Sequence, residues 1–221
     1  MKYETILFDM DGVLIDSEEL MSKSGILALR DYGINAKAED FIPFVGRGEN
    51  LYIGGVAEKY GVPFDPEMKE RCYYYYGLDV ETEAFVPAEI PDLLFRLKEQ
   101  GYKIAVCTSA DWHKVIHNLR AIRADKEFFD AFVTGDRISK LKPDPEIYLK
   151  GAALTGTDPE KCLVVEDSPS GIKAAHNGGM KAVGITTSFP EELLVEESHP
   201  DWLIHSLSEL PGVLEEAARA D

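Results

Sequence analysis

The sequence predicts a doubly wound α/β fold with a mainly parallel sheet and a helical cap inserted after its first strand. Three observations predict it. Short apolar runs recur at Thr5–Phe8, Lys103–Cys107, 131–134, 162–165, 182–185 and Trp202–Ile204, several of them continuous rather than alternating. Continuous runs suit parallel strands covered on both faces. Helical periodicity lies between most of these runs, and alternation of that kind implies right-handed βαβ units. Finally, the first run ends in closely spaced carboxylates, Asp9 and Asp11, although aspartate is a poor strand residue and costly to bury unpaired.

Taken in order, the first strand is followed by helix signals at 17–32, 39–45, 49–60 and 66–76, closed in turn by Gly33, Gly46 and Gly61. No convincing strand occurs there, and the segment is far too long for a crossover loop. It reads as a helical cap, residues 15–84, set into a core made of 1–14 and 85–221. Beyond it, Ile90, Leu93, Leu94 and Leu97 fall at helical spacing, with Gly101 as a stop. Trp112, Val115, Ile116 and Leu119 repeat the period. A helix over 143–154 opens with prolines, and a shorter one over 169–178 is rich in small residues, which suits close packing on a sheet.

Composition narrows the function. The 221 residues carry a net charge of −17, which argues against nucleic acid or an anionic membrane surface as a partner. Three scattered cysteines make no disulfide framework, and Cys107 and Cys162 lie in apolar runs where a buried thiol is expected. No run approaches a membrane span, and the opening MKYETILFDMD meets aspartate too early for a signal peptide. A soluble, cytoplasmic monomer is the expectation.

The strand ends carry the chemistry, because open α/β sheets bind ligands at their carboxyl edge where the strand order reverses. The first strand delivers Asp9 and Asp11, the second Thr108 and Ser109, and the fourth Glu166 and Asp167, while Lys142 stands in a Lys-Pro-Asp-Pro turn. Three acids around one crevice repel one another unless a cation joins them, and an all-oxygen set suits Mg²⁺. Hydroxyls and a lysine beside a metal make a site for a dianionic phosphate.

The four segments FDMDGVLIDSE, AVCTSA, the lysine of LKPDPEIY and VVEDSPSGIKAA stand in the order found in haloacid dehalogenase superfamily phosphohydrolases. Nearly the whole chain resembles that superfamily, in the group with a small helical cap on a Rossmann-like core that holds β-phosphoglucomutase and sugar-phosphate phosphatases. The resemblance implies Asp9 as nucleophile, forming an aspartyl-phosphate, and Asp11 as general acid and base. It implies that Thr108 and Ser109 bind phosphate and that Lys142 offsets charge. Mg²⁺ would be held by Asp9, the carbonyl of Asp11 and Asp167, with Glu166 in support. Gly46 and Arg47, on the cap loop, match the place where the family recognises its substrate.

Competing readings are weaker. A calcium loop starting at Asp9 would need glycine where Leu14 stands and glutamate where Leu20 stands. His113 and His117, four apart, have no third zinc ligand in view and read as an exposed helix face. Tyr73–Tyr76 read as a partly buried cap helix rather than a base-stacking surface. Asp11 argues against the dehalogenase branch, and an arginine at Arg47 cannot form the Schiff base of the phosphonate-cleaving branch. The expectation is therefore a Mg²⁺-dependent phosphatase of a small phosphorylated metabolite, a sugar or polyol phosphate. A hexose-phosphate mutase is the second reading, although Tyr74 falls where the mutase resemblance asks for a lysine, with Lys69 and Arg71 nearby. A non-catalytic binding protein on the same fold comes third, since none of the acids is missing.

Overall fold

Six strands, β1 (Thr5–Phe8), β2 (Lys103–Cys107), β3 (Ala131–Val133), β4 (Cys162–Glu166), β5 (Lys181–Ile185) and β6 (Trp202–Ile204), pair in parallel as one sheet ordered β3-β2-β1-β4-β5-β6. The computed structural model describes residues 2–45 and 48–219. Every residue of β1 is buried, because it lies mid-sheet between β2 and β4. Its side chains alternate across the two faces. Ile6 and Phe8 join Ile104, Val106, Leu163 and Val165 on one face, while Leu7 joins Ala105, Cys107 and Val164 on the other. Burying each large apolar side chain of this kind contributes about 1.5–3 kcal/mol. The unbroken apolar runs of the sequence thus record two covered faces.

One face is covered by α4 (Ile90–Glu99), α5 (Trp112–Ala121) and α9 (Leu210–Arg219) through Leu93, Leu97, Val115, Leu119 and Leu214. The other is covered by α6 (Glu146–Thr155), α7 (Pro169–Asn177) and α8 (Glu191–Ser198) through Ile147, Tyr148, Ile172 and Leu194. Neither α8 nor α9 was expected from the sequence. α8 is one short acidic stretch after a proline, and in α9 Pro211 and Gly212 obscure the spacing of Leu210, Val213, Leu214 and Ala217.

Between β1 and α4 lie α1 (Glu18–Asp31), α2 (Glu49–Lys59) and α3 (Pro66–Glu83). The helix expected over 39–45 is instead two 3₁₀ turns, Ala38–Asp40 and Ile42–Phe44. Pro43 removes a backbone donor there, and so short a stretch cannot offset the cost of nucleating an α-helix. α3 runs past its expected end at 76, and the chain enters and leaves this segment through one antiparallel bridge. Asp16 N–H donates to the Phe85 carbonyl at 2.8 Å, and Phe85 N–H donates back to Asp16 at 2.9 Å.

α3 packs along α5. Lys69 pairs with Asp111 at 2.5 Å, Tyr76 OH donates to Asn118 Oδ1, and Arg120 pairs with Glu81 at 2.9 Å. A Cβ at Gly77 would come within 2.3 Å of the His117 ring, so glycine is what lets the helices meet here. The exposed face expected around His113 and His117 is therefore partly covered. His113 is exposed and pairs with Glu70 at 2.8 Å, but His117 packs against α3. Of the tyrosines, Tyr73 and Tyr76 are buried and Tyr74 is exposed. All three cysteines are free and buried.

Candidate active site

The sheet order reverses between β1 and β4, and both strands run out into carboxylates there. Asp9 extends β1 by one residue, its N–H donating to the Val165 carbonyl at 3.0 Å. The Met10 carbonyl then accepts from Leu14 at 2.9 Å and from Ile15 at 3.2 Å, which closes a tight loop around Gly12. Gly12 has φ +77°, and a Cβ on it would stand 1.9 Å from Asp167 Oδ2. Glycine is needed there both for the backbone angle and for the close approach of the Asp167 side chain.

Lys142 arrives from across the crevice on the loop before α6. Glu146, the first residue of α6, fixes that loop by accepting from Lys140 N–H at 2.8 Å and Ser139 Oγ at 2.8 Å. The Lys142 ammonium donates to Asp9 Oδ1 at 2.6 Å and to Glu166 Oε1. Burial disfavours that ammonium, but Asp9 and Glu166 outweigh burial and hold its pKa above the usual lysine value. Glu166 is fully buried and saturated. Its Oε1 also accepts from Tyr148 OH at 2.8 Å, and its Oε2 accepts from Ser168 N–H at 2.8 Å and Ser168 Oγ at 2.9 Å. Against the upward push of burial, Lys142 and these donors hold the Glu166 carboxyl below its ordinary value.

Asp167 is the third acid. Burial first, then the Glu166 and Asp9 carboxylates, push its pKa well up. Burial likewise raises Asp9, with Lys142 acting against it. Oxygens of Asp9, Glu166 and Asp167 lie within 4.8 Å of one another. One ammonium among three buried carboxylates leaves an excess of negative charge, so the donor set fits a hard divalent cation bound through oxygen. Thr108, buried at the end of β2, and Ser109 line the same crevice of about 590 Å³. Asp9, Asp11, Thr108, Ser109, Lys142, Glu166 and Asp167 are thus brought to one place. Gly46 and Arg47 lie outside the described residues.

The Asp11 side chain has a different set of partners from Asp9, Glu166 and Asp167. Its Oδ1 accepts from Ser17 Oγ at 2.8 Å, Lys114 Nζ at 2.9 Å and Asn118 Nδ2 at 3.4 Å. Lys114 is almost wholly buried, with Glu49 Oε1 at 3.9 Å and the Tyr76 ring centroid at 5.6 Å. Burial pushes the Glu49 carboxyl up to about 7, against the pull of Lys114. Sequence reasoning missed Lys114, Asn118 and Glu49. A signal existed for the first two, a polar pair four residues apart in the first turns of the helix after the Thr108–Ser109 strand end. Glu49 had none, because only tertiary packing brings it there.

A family model described as haloacid dehalogenase-like hydrolase matches residues 6–185. The chain is 31% identical over 222 residues to pyrophosphatase PpaX of Bacillus cereus strain AH820, with 100% of both chains covered. It is 35% identical over 197 residues to Protein SUPPRESSOR OF QUENCHING 1, chloroplastic, of Arabidopsis thaliana, an overlap that takes in 87% of this chain and only 19% of that relative. A solved structure of a protein assigned as a β-phosphoglucomutase from Thermotoga maritima superposes with a TM-score of 0.76 at 27% identity, over 96% of this chain and 99% of that one. Among the described residues, no helix is long and apolar enough to cross a membrane.

Proposed function

The chain belongs to the haloacid dehalogenase-like hydrolases and is a phosphatase, and from that premise we propose that it hydrolyses a small phosphorylated metabolite, a sugar or polyol phosphate, with Mg²⁺ and through an aspartyl-phosphate on Asp9. The observation that carries the reading is the Lys142 ammonium held between Asp9 and Glu166, with Asp167 beside them, at the reversal of strand order.

In this reading an Asp9 carboxylate oxygen attacks phosphorus, the bond from phosphorus to the ester oxygen breaks, and Asp11 gives that oxygen a proton. Asp11 then takes a proton from water, which attacks the same phosphorus and releases orthophosphate with Asp9 restored. Thr108 and Ser109, at the end of β2, hold the phosphoryl oxygens, and Lys142 offsets their charge. Asp9, the Asp11 carbonyl and Asp167 would hold Mg²⁺, which when bound would supply positive charge to offset that of Asp9 and the phosphate. Glu166 works from behind: with both oxygens taken by Lys142, Tyr148 and Ser168, it aims the lysine. The different lysines that Asp9 and Asp11 pair with suit the division of labour, since neighbouring carboxyls serve as nucleophile and acid only in different environments.

We read residues 15–84 as a cap over the core of 1–14 and 85–221. Its side chains Met21, Ile42, Phe44 and Tyr52 line the same crevice as the acids, in keeping with a small organic leaving group. A hexose-phosphate mutase is the second reading, favoured by the likeness to the Thermotoga maritima protein. It stands behind hydrolysis because Lys69 is tied to Asp111 and Arg71 to Asp31, neither lining the crevice.

Phosphate release from a panel of phosphorylated metabolites, with Mg²⁺ and after chelation, tests the proposal. Turnover should require the ion, Asp9→Asn should abolish it, and Asp11→Ala should cut it by roughly 10²–10⁴-fold. Acid quench during turnover should trap hydroxylamine-labile phosphate on the wild type. Near-normal rates in Asp9→Asn would end the covalent reading, and isomerisation outpacing release would favour the mutase.

A further inference from the structure

A buried lysine is expensive, and Lys114 is given two carboxylates and an aromatic face. The two carboxylates come from different parts of the chain. Asp11 belongs to the loop after β1, whereas Glu49 opens α2 in the inserted segment. Asn118, one turn further along α5, reaches the same Asp11 oxygen and accepts from Tyr76 of α3. The polar groups around Asp11 therefore form one connected set that spans core and insertion.

How the set holds Asp11 matters for the chemistry. Ser17, Lys114 and Asn118 all address Oδ1. Among the described residues, Oδ2 has no hydrogen-bond partner. One oxygen is fixed by three donors, and the other is left for a proton to be handed to the substrate. A carboxyl acts as an acid only if that oxygen comes within hydrogen-bond reach of the leaving group, and small misplacements are costly.

We propose that Lys114 is a positioning residue for Asp11, and that Glu49 anchors it from the inserted segment, so that the acid is aimed only while α2 lies over the crevice. This rests on the phosphatase reading above. It goes beyond that reading in tying proton delivery to a lysine and a glutamate outside the four motifs. Lys114 touches no reacting atom; it acts through the Asp11 carboxylate.

The role separates from a purely structural one by the leaving group it serves. kcat/KM reports steps up to departure of the leaving group. An alkyl ester needs a proton at that step, whereas the phenolate of 2,4-dinitrophenyl phosphate leaves without one. Lys114→Met should therefore lower kcat/KM about 10²-fold for whichever of glycerol 1-phosphate, glucose 1-phosphate and glucose 6-phosphate the wild type cleaves best, and by less than about 3-fold for the dinitrophenyl ester. Glu49→Gln keeps the shape at α2 but releases the ammonium from one anchor, so it should show the same selectivity at about 10-fold. It also provides the test if Lys114→Met does not fold. Equal losses on both esters, or none on either, would overturn the assignment. A loss on the alkyl ester that vanishes at saturation would overturn it too, by making Lys114 a substrate-binding group. Wild-type protein inactive on all four esters would instead overturn the phosphatase reading itself.

Discussion

A methyl group at Gly171 would stand 1.7 Å from Glu166 Oε1. The carboxylate occupies the space a side chain would fill, and Lys142, Tyr148 and Ser168 hold it there. Gly171→Ala gains about 1 kcal/mol of helix propensity but forces a saturated buried carboxylate to move, an overpacking cost of about 1–3 kcal/mol. The clash should win: the melting temperature should fall, and activity should drop more than tenfold as Lys142 loses its aim. A melting curve with a phosphate-release assay checks both, and a variant equal to wild type in each would mean that the Glu166 geometry is not what aims Lys142. At this scale much of the site was legible. Asp9, Glu166 and Asp167 are acids where apolar runs stop, a place the hydrophobic pattern alone would not put them. Glu49 was not legible, since only the packing of α2 brings it to Lys114, whose four-residue spacing from Asn118 was the one signal on α5.

Glu146 joins one element to the loop that serves the site. Hydrogen bonds from Lys150 and from the Ser139 side chain and backbone hold its carboxyl down to about 2. A carboxyl depressed in the folded state adds stability that is fully present above its ordinary value of 4.5 and lost as pH falls through about 2. The stability difference between wild type and Glu146→Gln, measured by urea midpoints, should be constant above about pH 5 and shrink toward zero near pH 2. A difference that persists undiminished near pH 2 would assign it to packing instead. Legibility at this scale followed length and pattern. Parallel strands buried on both faces announce themselves as apolar runs, and long helices by their spacing. The 3₁₀ turns at 38–44 resembled a helix because Phe41 and Phe44 carry the helical interval, while Pro43 lacks the N–H that an α-helix through it would use.

Across the whole molecule, the buried acids are an electrostatic debt in the fold. If Mg²⁺ binds them, the ion at about 100 times its dissociation constant should add about 2.7 kcal/mol, a rise of roughly 5–10 °C in melting temperature for a chain of this size. Asp167→Asn should lose most of that rise while melting no lower than wild type without the ion, because it removes a buried like charge. Scanning calorimetry with and without Mg²⁺ reads both, and equal shifts in the two proteins would remove Asp167 from the ion's site. The doubly wound sheet was legible here, because continuous strands alternating with helices have few other solutions; the closeness of inserted segment and core was not, since it rests on Gly77 and His117 fitting together. The sheet order has a further consequence, in time rather than space. Thr5 pairs with Lys103 on one side and with Cys162 on the other. During synthesis β1 leaves the ribosome long before either neighbour, with both edges open, and it waits until they follow. Asp9 cannot meet Glu166 until β4 has emerged, so no nascent chain ending before residue 162 can carry the site, however well its helices have formed.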